Sequence, residues 1–161
     1  SNHYRCMKLL FLSVVALLGN FWATAQDNNV KFGEFPPGFN NAEFTLIVRD
    51  ADINEVSEFL PDCFKKHYTG KYEILEFQKA YSQPYLDFEK YRYEFVVYTK
   101  QTSGQTAGGE RILLITEFSY GVYDRKTSIT YRQDGWAGGY KESMVSYVKK
   151  LENLRKTGRA N

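Results

Sequence analysis

The sequence predicts an α+β fold: a curved antiparallel sheet of about five strands, with a broken N-terminal helix and a long amphipathic C-terminal helix packed on one face. Three observations predict it. One apolar stretch at helical spacing follows the first strand-like segment. Four strand-like segments then succeed one another with no helical pattern between them, which implies antiparallel pairing. A stripe of Tyr140, Met144, Tyr147, Val148, Leu151 and Leu154, with Lys141, Glu142, Lys149, Lys150 and Glu152 opposite, then closes the chain as a helix over residues 141–156.

Taken in order, residues 1–25 read as upstream residues and a secretory signal peptide. Met7-Lys8 precedes the apolar run Leu9 to Leu18, and Ala23-Thr24-Ala25 supplies small side chains at a cleavage site before Gln26. The apolar run is too short for the ~20 residues that cross a bilayer, and no later segment is apolar enough to enter one. The expected protein is exported, periplasmic or extracellular, with no integral membrane segment after cleavage. Residues 26–41 (QDNNVKFGEFPPGFNN) are polar and rich in Asn, Gly and Pro, and read as a flexible leader; residues 42–157 form a single domain, and 158–161 a polar tail.

Within the domain, Glu43 to Arg49 alternates, with Phe44, Leu46 and Val48 on one face. Asp52 and Glu55 are spaced as a capping box for a helix whose apolar positions include Ile53, Val56, Leu60, Cys63 and Phe64. Pro61 lacks a donor and clashes with the preceding turn, so two short helices are expected there. Lys71 to Tyr81 reads as a strand in which the alternation slips at Ile74-Leu75, as at a bulge. Tyr91 to Thr99, Arg111 to Tyr120 and Thr127 to Arg132 are further strands, and Gln101–Gly109 (QTSGQTAGG) an extended hairpin loop. The order of elements resembles that of helix-grip folds, a likeness of topology that implies no activity.

Composition narrows the chemistry. After residue 25 there are 136 residues with 19 basic and 19 acidic side chains, one histidine (His67) and one cysteine (Cys63). Net neutrality removes the electrostatic attraction on which sequence-independent nucleic-acid binding depends, and a lone cysteine cannot form an internal disulfide. Cys63 and His67, four residues apart on a helix, supply a thiol and a base, but Cys63 falls among core positions. Two such ligands are too few for zinc, and the 104–109 glycine segment lacks the Lys-Ser/Thr of a phosphate loop. Neither a cofactor nor a metal is expected, and no catalytic residue is assigned.

Carboxylates raise a sharper alternative. Tyr91, Tyr93, Phe95 and Val97 share one strand face; Arg92, Glu94, Val96 and Tyr98 share the other. If Tyr93 faces Phe118, Glu94 falls opposite Glu117 as a pair suited to acid–base work. A shift of two residues places Arg92 opposite Glu117 as an ion pair, the favoured register. On those residues rests a second reading, a small exported hydrolase or transferase using Glu94 with Glu117 or Cys63 with His67.

The leading reading comes from the rings. Residues 26–161 hold 23 Phe, Tyr and Trp, more hydroxyl-bearing rings than a dry core satisfies. Trp136 stands between glycines in Asp134-Gly135-Trp136-Ala137-Gly138-Gly139-Tyr140, ahead of the last helix. The expectation is a non-enzymatic binding domain that uses an aromatic sheet face and this loop. Trp136, Tyr140, Tyr98 and Tyr123 would contact the ligand, and Arg92 or Glu94 would orient it. The ligand would be a small apolar molecule, a sugar or an extracellular protein. A protein-binding inhibitor or assembly component is a further alternative. In that case Val96 and Tyr98, with Leu113 and Ile115 or Ile112 and Leu114 beside them, would form an apolar second face able to pair two copies.

Overall fold

The computed structural model describes residues 29–40, 43–51, 53–133 and 139–160. Residues 31–161 form one compact unit; of the other, residues 1–30, only the last two are described. The expected signal peptide lies outside the described residues.

In chain order the elements are β1 (Val30–Phe32), β2 (Leu46–Arg49), α1 (Asn54–His67), β3 (Tyr72–Leu75), α2 (Phe77–Ala80), β4 (Tyr93–Gln105), β5 (Arg111–Asp124), β6 (Ile129–Arg132) and α3 (Tyr140–Thr157). The strands make one six-stranded sheet in the order β1-β6-β5-β4-β2-β3. The α+β class and the long terminal helix are as the sequence predicts. The sheet, however, is mixed. The β4–β5 and β5–β6 pairs are antiparallel, whereas β2 runs parallel to both β3 and β4. α1 separates β2 from β3 and supplies the crossover that parallel neighbours need.

Four further local expectations are corrected. α1 is continuous through Pro61, because the ring faces solvent while Val56, Leu60, Cys63 and Phe64 bury on the other side. Burying four such side chains, at roughly 1.5–3 kcal/mol for each large one, outweighs the ~3 kcal/mol of an internal proline. Ile53, not Asp52, holds the cap position and makes no side-chain cap; Asp52 lies outside the described residues. The slip at Ile74-Leu75 is the end of β3 rather than a bulge, since a helical turn begins at Phe77. The expected leader contains β1 and delivers Phe39, 1% exposed, into the core.

The largest correction concerns the hairpin. β4 continues to Gln105, and the reversal occurs at Thr106–Glu110, closed by Thr106 N–H to Glu110 O (2.9 Å) and Gly109 N–H to Thr106 O (2.9 Å), with Gly109 at φ +81°. The register therefore pairs Tyr93 with Asp124 and Glu94 with Tyr123, while Phe118 faces Thr99 and Glu117 faces Lys100. Neither expected register forms. Polar residues such as Thr99 and Thr102 sustain a ladder because its hydrogen bonds are made by backbone. The face parity survives from Tyr93 on, where β4 begins: Tyr93 and Phe95 join the main core, and Glu94 points the other way. Tyr91, expected beside them, packs instead with Ile47 and Tyr85 in the second cluster.

α1 and α3 cover one sheet face. Their side chains enclose Leu46, Val48, Tyr93, Phe95, Tyr120 and Val122. Ring contacts organise this core: Phe95 stacks on Tyr120 (6.1 Å between centroids, 14°) and meets Phe64 edge-on (5.0 Å). α3 buries Met144, Tyr147, Val148, Leu151 and Leu154, the stripe that the periodicity marks, and ends on Gly158 at φ 72°. On the opposite face, the 77–91 segment covers one end of the sheet, over Ile47, with Leu75, Ala80, Tyr85 and Tyr91.

Candidate functional site

The structure describes five of the six expected contact residues and divides them between two faces. Tyr140 opens α3 on the helix-covered side, where its ring meets Phe59 (6.0 Å) and Phe118 (5.5 Å) and its hydroxyl donates to Glu55 O (3.2 Å). Tyr98, Tyr123 and Glu94 lie on the opposite face. Arg92, at the strand entrance, grips Asp124 through two hydrogen bonds of 3.0 and 2.8 Å. Burial alone would raise the Asp124 carboxyl, but Arg92 and the Lys126 N–H hold it below its ordinary range. Trp136 lies outside the described residues. Tyr140 is thus not brought together with Tyr98, Tyr123 and Glu94 in one pocket.

Glu94 has a structural role. It is fully buried and takes Arg49 Nη2 at 2.5 Å on Oε2. Arg125 Nε lies 3.1 Å from Oε1 as an ion pair off the hydrogen-bond axis. The buried Arg125 guanidinium also donates to the carbonyls of Ala80 (2.8 Å), Tyr85 (2.7 Å) and Tyr91 (3.1 Å), beneath the ring of Phe88 (4.4 Å). Arg125 thus pins the 80–91 segment to the sheet. Glu117 instead sits 3.6 Å from Lys100 at the surface, so the carboxylate pair required by the hydrolase reading does not exist.

The thiol alternative fares no better. Cys63 is 1% exposed, and burial pushes its thiol up to about 11, with no hydrogen bond from His67. Iodoacetamide at pH 8 should therefore alkylate native Cys63 at least ~100-fold more slowly than the denatured chain, because a rise of about two units removes that much thiolate. Fast native labelling, read by intact mass, would revive the nucleophile. Among the described residues, no cluster of three His, Cys, Asp or Glu is placed to hold a metal.

The register places Gly121 and Ser119, not Leu113 and Ile115 or Ile112 and Leu114, opposite Val96 and Tyr98. Val96 is 5% exposed, and Tyr98 lies over Gly121, where an added Cβ would sit 2.8 Å from Tyr131 O and 3.1 Å from the Tyr98 ring. Gly121→Ala should cost about 1 kcal/mol or more in denaturant unfolding, since backbone cannot give way; an unchanged midpoint would show that the Tyr131 carbonyl does not approach this closely.

A cleft of about 260 Å³ opens between the N-terminal half of α3 and the sheet. Phe118 and Tyr120 of β5 form one wall, and Ser143, Ser146 and Tyr147 of α3 the other. Gln133, the last described residue before the 134–138 segment in sequence, is among its lining residues. Glu142 and Lys150 stand at its two ends, eight residues apart on α3, or about 12 Å along the axis. The Tyr120 hydroxyl donates to Tyr140 O (2.9 Å) and meets Ser143 Oγ (2.8 Å); burial raises it to about 12. Tyr147 is 4% exposed, packed against Phe35, Phe95 and Tyr120, and burial holds its proton on; its hydroxyl has no hydrogen-bond partner. The sequence marked Tyr147 as core but gave no sign that its hydroxyl would be unpaired.

Comparisons with protein-family models, with curated proteins and with solved structures returned no match, so the site is read from its own geometry.

Proposed function

We propose that the protein is an exported, non-enzymatic binding domain whose ligand occupies the cleft between α3 and β5. The observation that carries this reading is the Tyr147 hydroxyl, buried beside the cleft and unpaired. Leaving such a group unsatisfied costs about 1–3 kcal/mol, and a ligand oxygen would restore that bond. The walls combine ring faces with short hydroxyls, and the volume of about 260 Å³, just below the roughly 300–1,000 Å³ of drug-sized sites, suits one small ring rather than a chain. A single sugar ring has both the flat C–H face and the hydroxyls that these walls match. Export rests on the Met7–Ala25 pattern. The Trp136 segment adjoins the cleft in sequence and gives its occupancy an optical reporter, as Trp136 is the one tryptophan after residue 25.

Intact mass of the exported protein, sprayed under native and then denaturing conditions, tests both halves. A denatured mass beginning at Gln26 supports export; an intact residue 1–25 segment refutes cleavage. Glucose, galactose and N-acetylglucosamine are then titrated by saturation-transfer NMR and Trp fluorescence. At least one should bind, and Tyr147→Phe should weaken it about 10-fold, the value of one hydrogen bond, with an unchanged or higher unfolding midpoint. A fall in stability would instead assign the hydroxyl a structural partner, and no binding by any of the three would remove the sugar reading.

A further inference from the structure

The outer sheet face carries a feature that the cleft does not explain. Arg132 of β6 donates from Nε to Ser119 Oγ (2.9 Å), which is nearly buried, and its guanidinium lies between the rings of Tyr98 (4.4 Å) and Phe32 (6.0 Å). Among the described residues no carboxylate pairs with it. Arg132 is therefore held by its Nε, and among the described residues nothing hydrogen-bonds its two terminal nitrogens, the fork that recognises a carboxylate.

A second arginine stands in the same row of the sheet. Val96 faces Gly121, and Gly121 faces Arg132; one step beyond the Val48–Phe95 pair puts Arg49 beside Val96. Three strand spacings separate the two arginines, about 14 Å between backbones. Arg49 lies over Phe77 (4.6 Å), which is 53% exposed, as Phe32 is 59% exposed beside Arg132. Val96 and Gly121 between them are buried beneath the half-buried Tyr98 ring, so that ring, flanked by the two arginines, is the surface of the row. Arg49 and the buried Arg125 share one carboxylate, Glu94, which leaves positive charge in excess along the row.

We propose that this row is a second binding site, for the carboxylates of an acidic saccharide chain of the uronate class. Arg132 takes a carboxylate, Arg49, already paired with Glu94, adds positive charge to the row, and the half-exposed rings take the flat C–H faces of the sugars between them. An acidic peptide is disfavoured, because an extended peptide satisfies its backbone at a sheet edge, and the edges here are β1 and β3, outside the Val96–Gly121 row.

The site is tested on the mature chain with three hexamers of equal length: galacturonate, maltohexaose and glutamate, by calorimetry in 20 mM and 300 mM salt. Hexagalacturonate should bind at least 10-fold tighter than maltohexaose and weaken steeply with salt. Arg132→Gln should lose about 10-fold or more, and Arg132→Lys, which keeps charge but not the planar fork, should recover only part. Both variants should keep the urea midpoint, and Tyr147→Phe should leave this binding unchanged, which separates it from the cleft. Equal binding of galacturonate and maltose hexamers, equal binding by hexaglutamate, or indifference to Arg132→Gln in a folded variant would each overturn the site.

Discussion

Arg125→Met should lower the unfolding free energy by about 3–5 kcal/mol, the cost of breaking a buried ion pair. Arg125 follows β5 in sequence but is 4% exposed and makes three bonds to the carbonyls of the 80–91 segment. Its removal strands those acceptors and leaves Glu94, with no exposure, facing Arg49 alone. The loss should appear first locally: limited proteolysis should cut between Tyr81 and Phe88, which already present Tyr81, Leu86 and Phe88 at 45%, 45% and 39% exposure. The double change Glu94→Leu with Arg125→Met should recover part of the loss, because an apolar pair carries no desolvation penalty. A shift under about 1 kcal/mol for the single variant would mean that Arg125 is solvated rather than a staple.

That staple shows where sequence reasoning stops. Glu94 was legible as a polar residue on the face opposite Tyr93 and Phe95, because strand parity is local. Its partners were not, because they depend on register, and register depends on where the chain turns. The polar run Gln101–Gly109 resembles a loop by composition, yet backbone bonds carry β4 through Gln105. The partners of Glu94 on the β5 side, Tyr123 and Arg125, move with that turn, while Arg49 reaches it from the parallel strand β2. The same parity argument already contained the division of the expected site. Tyr98 shares a face with Glu94, whereas Tyr140 belongs to the helix stripe that packs with Met144 and Tyr147. The α3 stripe and the helical spacing of α1 were readable because each is one periodicity on one element. The parallel β2–β3 pairing was not, because strand direction is set by how α1 packs, not by the strands' own residues. Arg132 was hidden for a like reason: Ser119, Tyr98 and Phe32 come from three other strands.

Acid should loosen the molecule at a second, independent joint, where α3 meets the turn after α1. Glu152 accepts Thr69 Oγ1 at 2.5 Å, Arg155 Nε at 3.0 Å and Lys156 Nζ at 2.7 Å. Burial alone would raise its carboxyl, but these donors outweigh burial and hold it at about 2, against an ordinary value near 4.5. The folded state therefore binds the proton more weakly than the unfolded chain. The resulting stability is fully present above pH ~4.5 and disappears as the pH falls toward 2. At 1.36 kcal/mol per unit, reduced because Lys156 and Arg155 are partly in water, Glu152 contributes about 2 kcal/mol. Asp124, depressed by Arg92, adds to the same window. Urea midpoints measured from pH 7 to pH 2.5 should fall mainly below 4.5, and Glu152→Gln should lower the neutral plateau and flatten that fall. If Glu152→Gln kept the full acid slope, the Thr69–Glu152–Arg155 joint would contribute nothing, and the docking of α3 would rest on its apolar stripe alone.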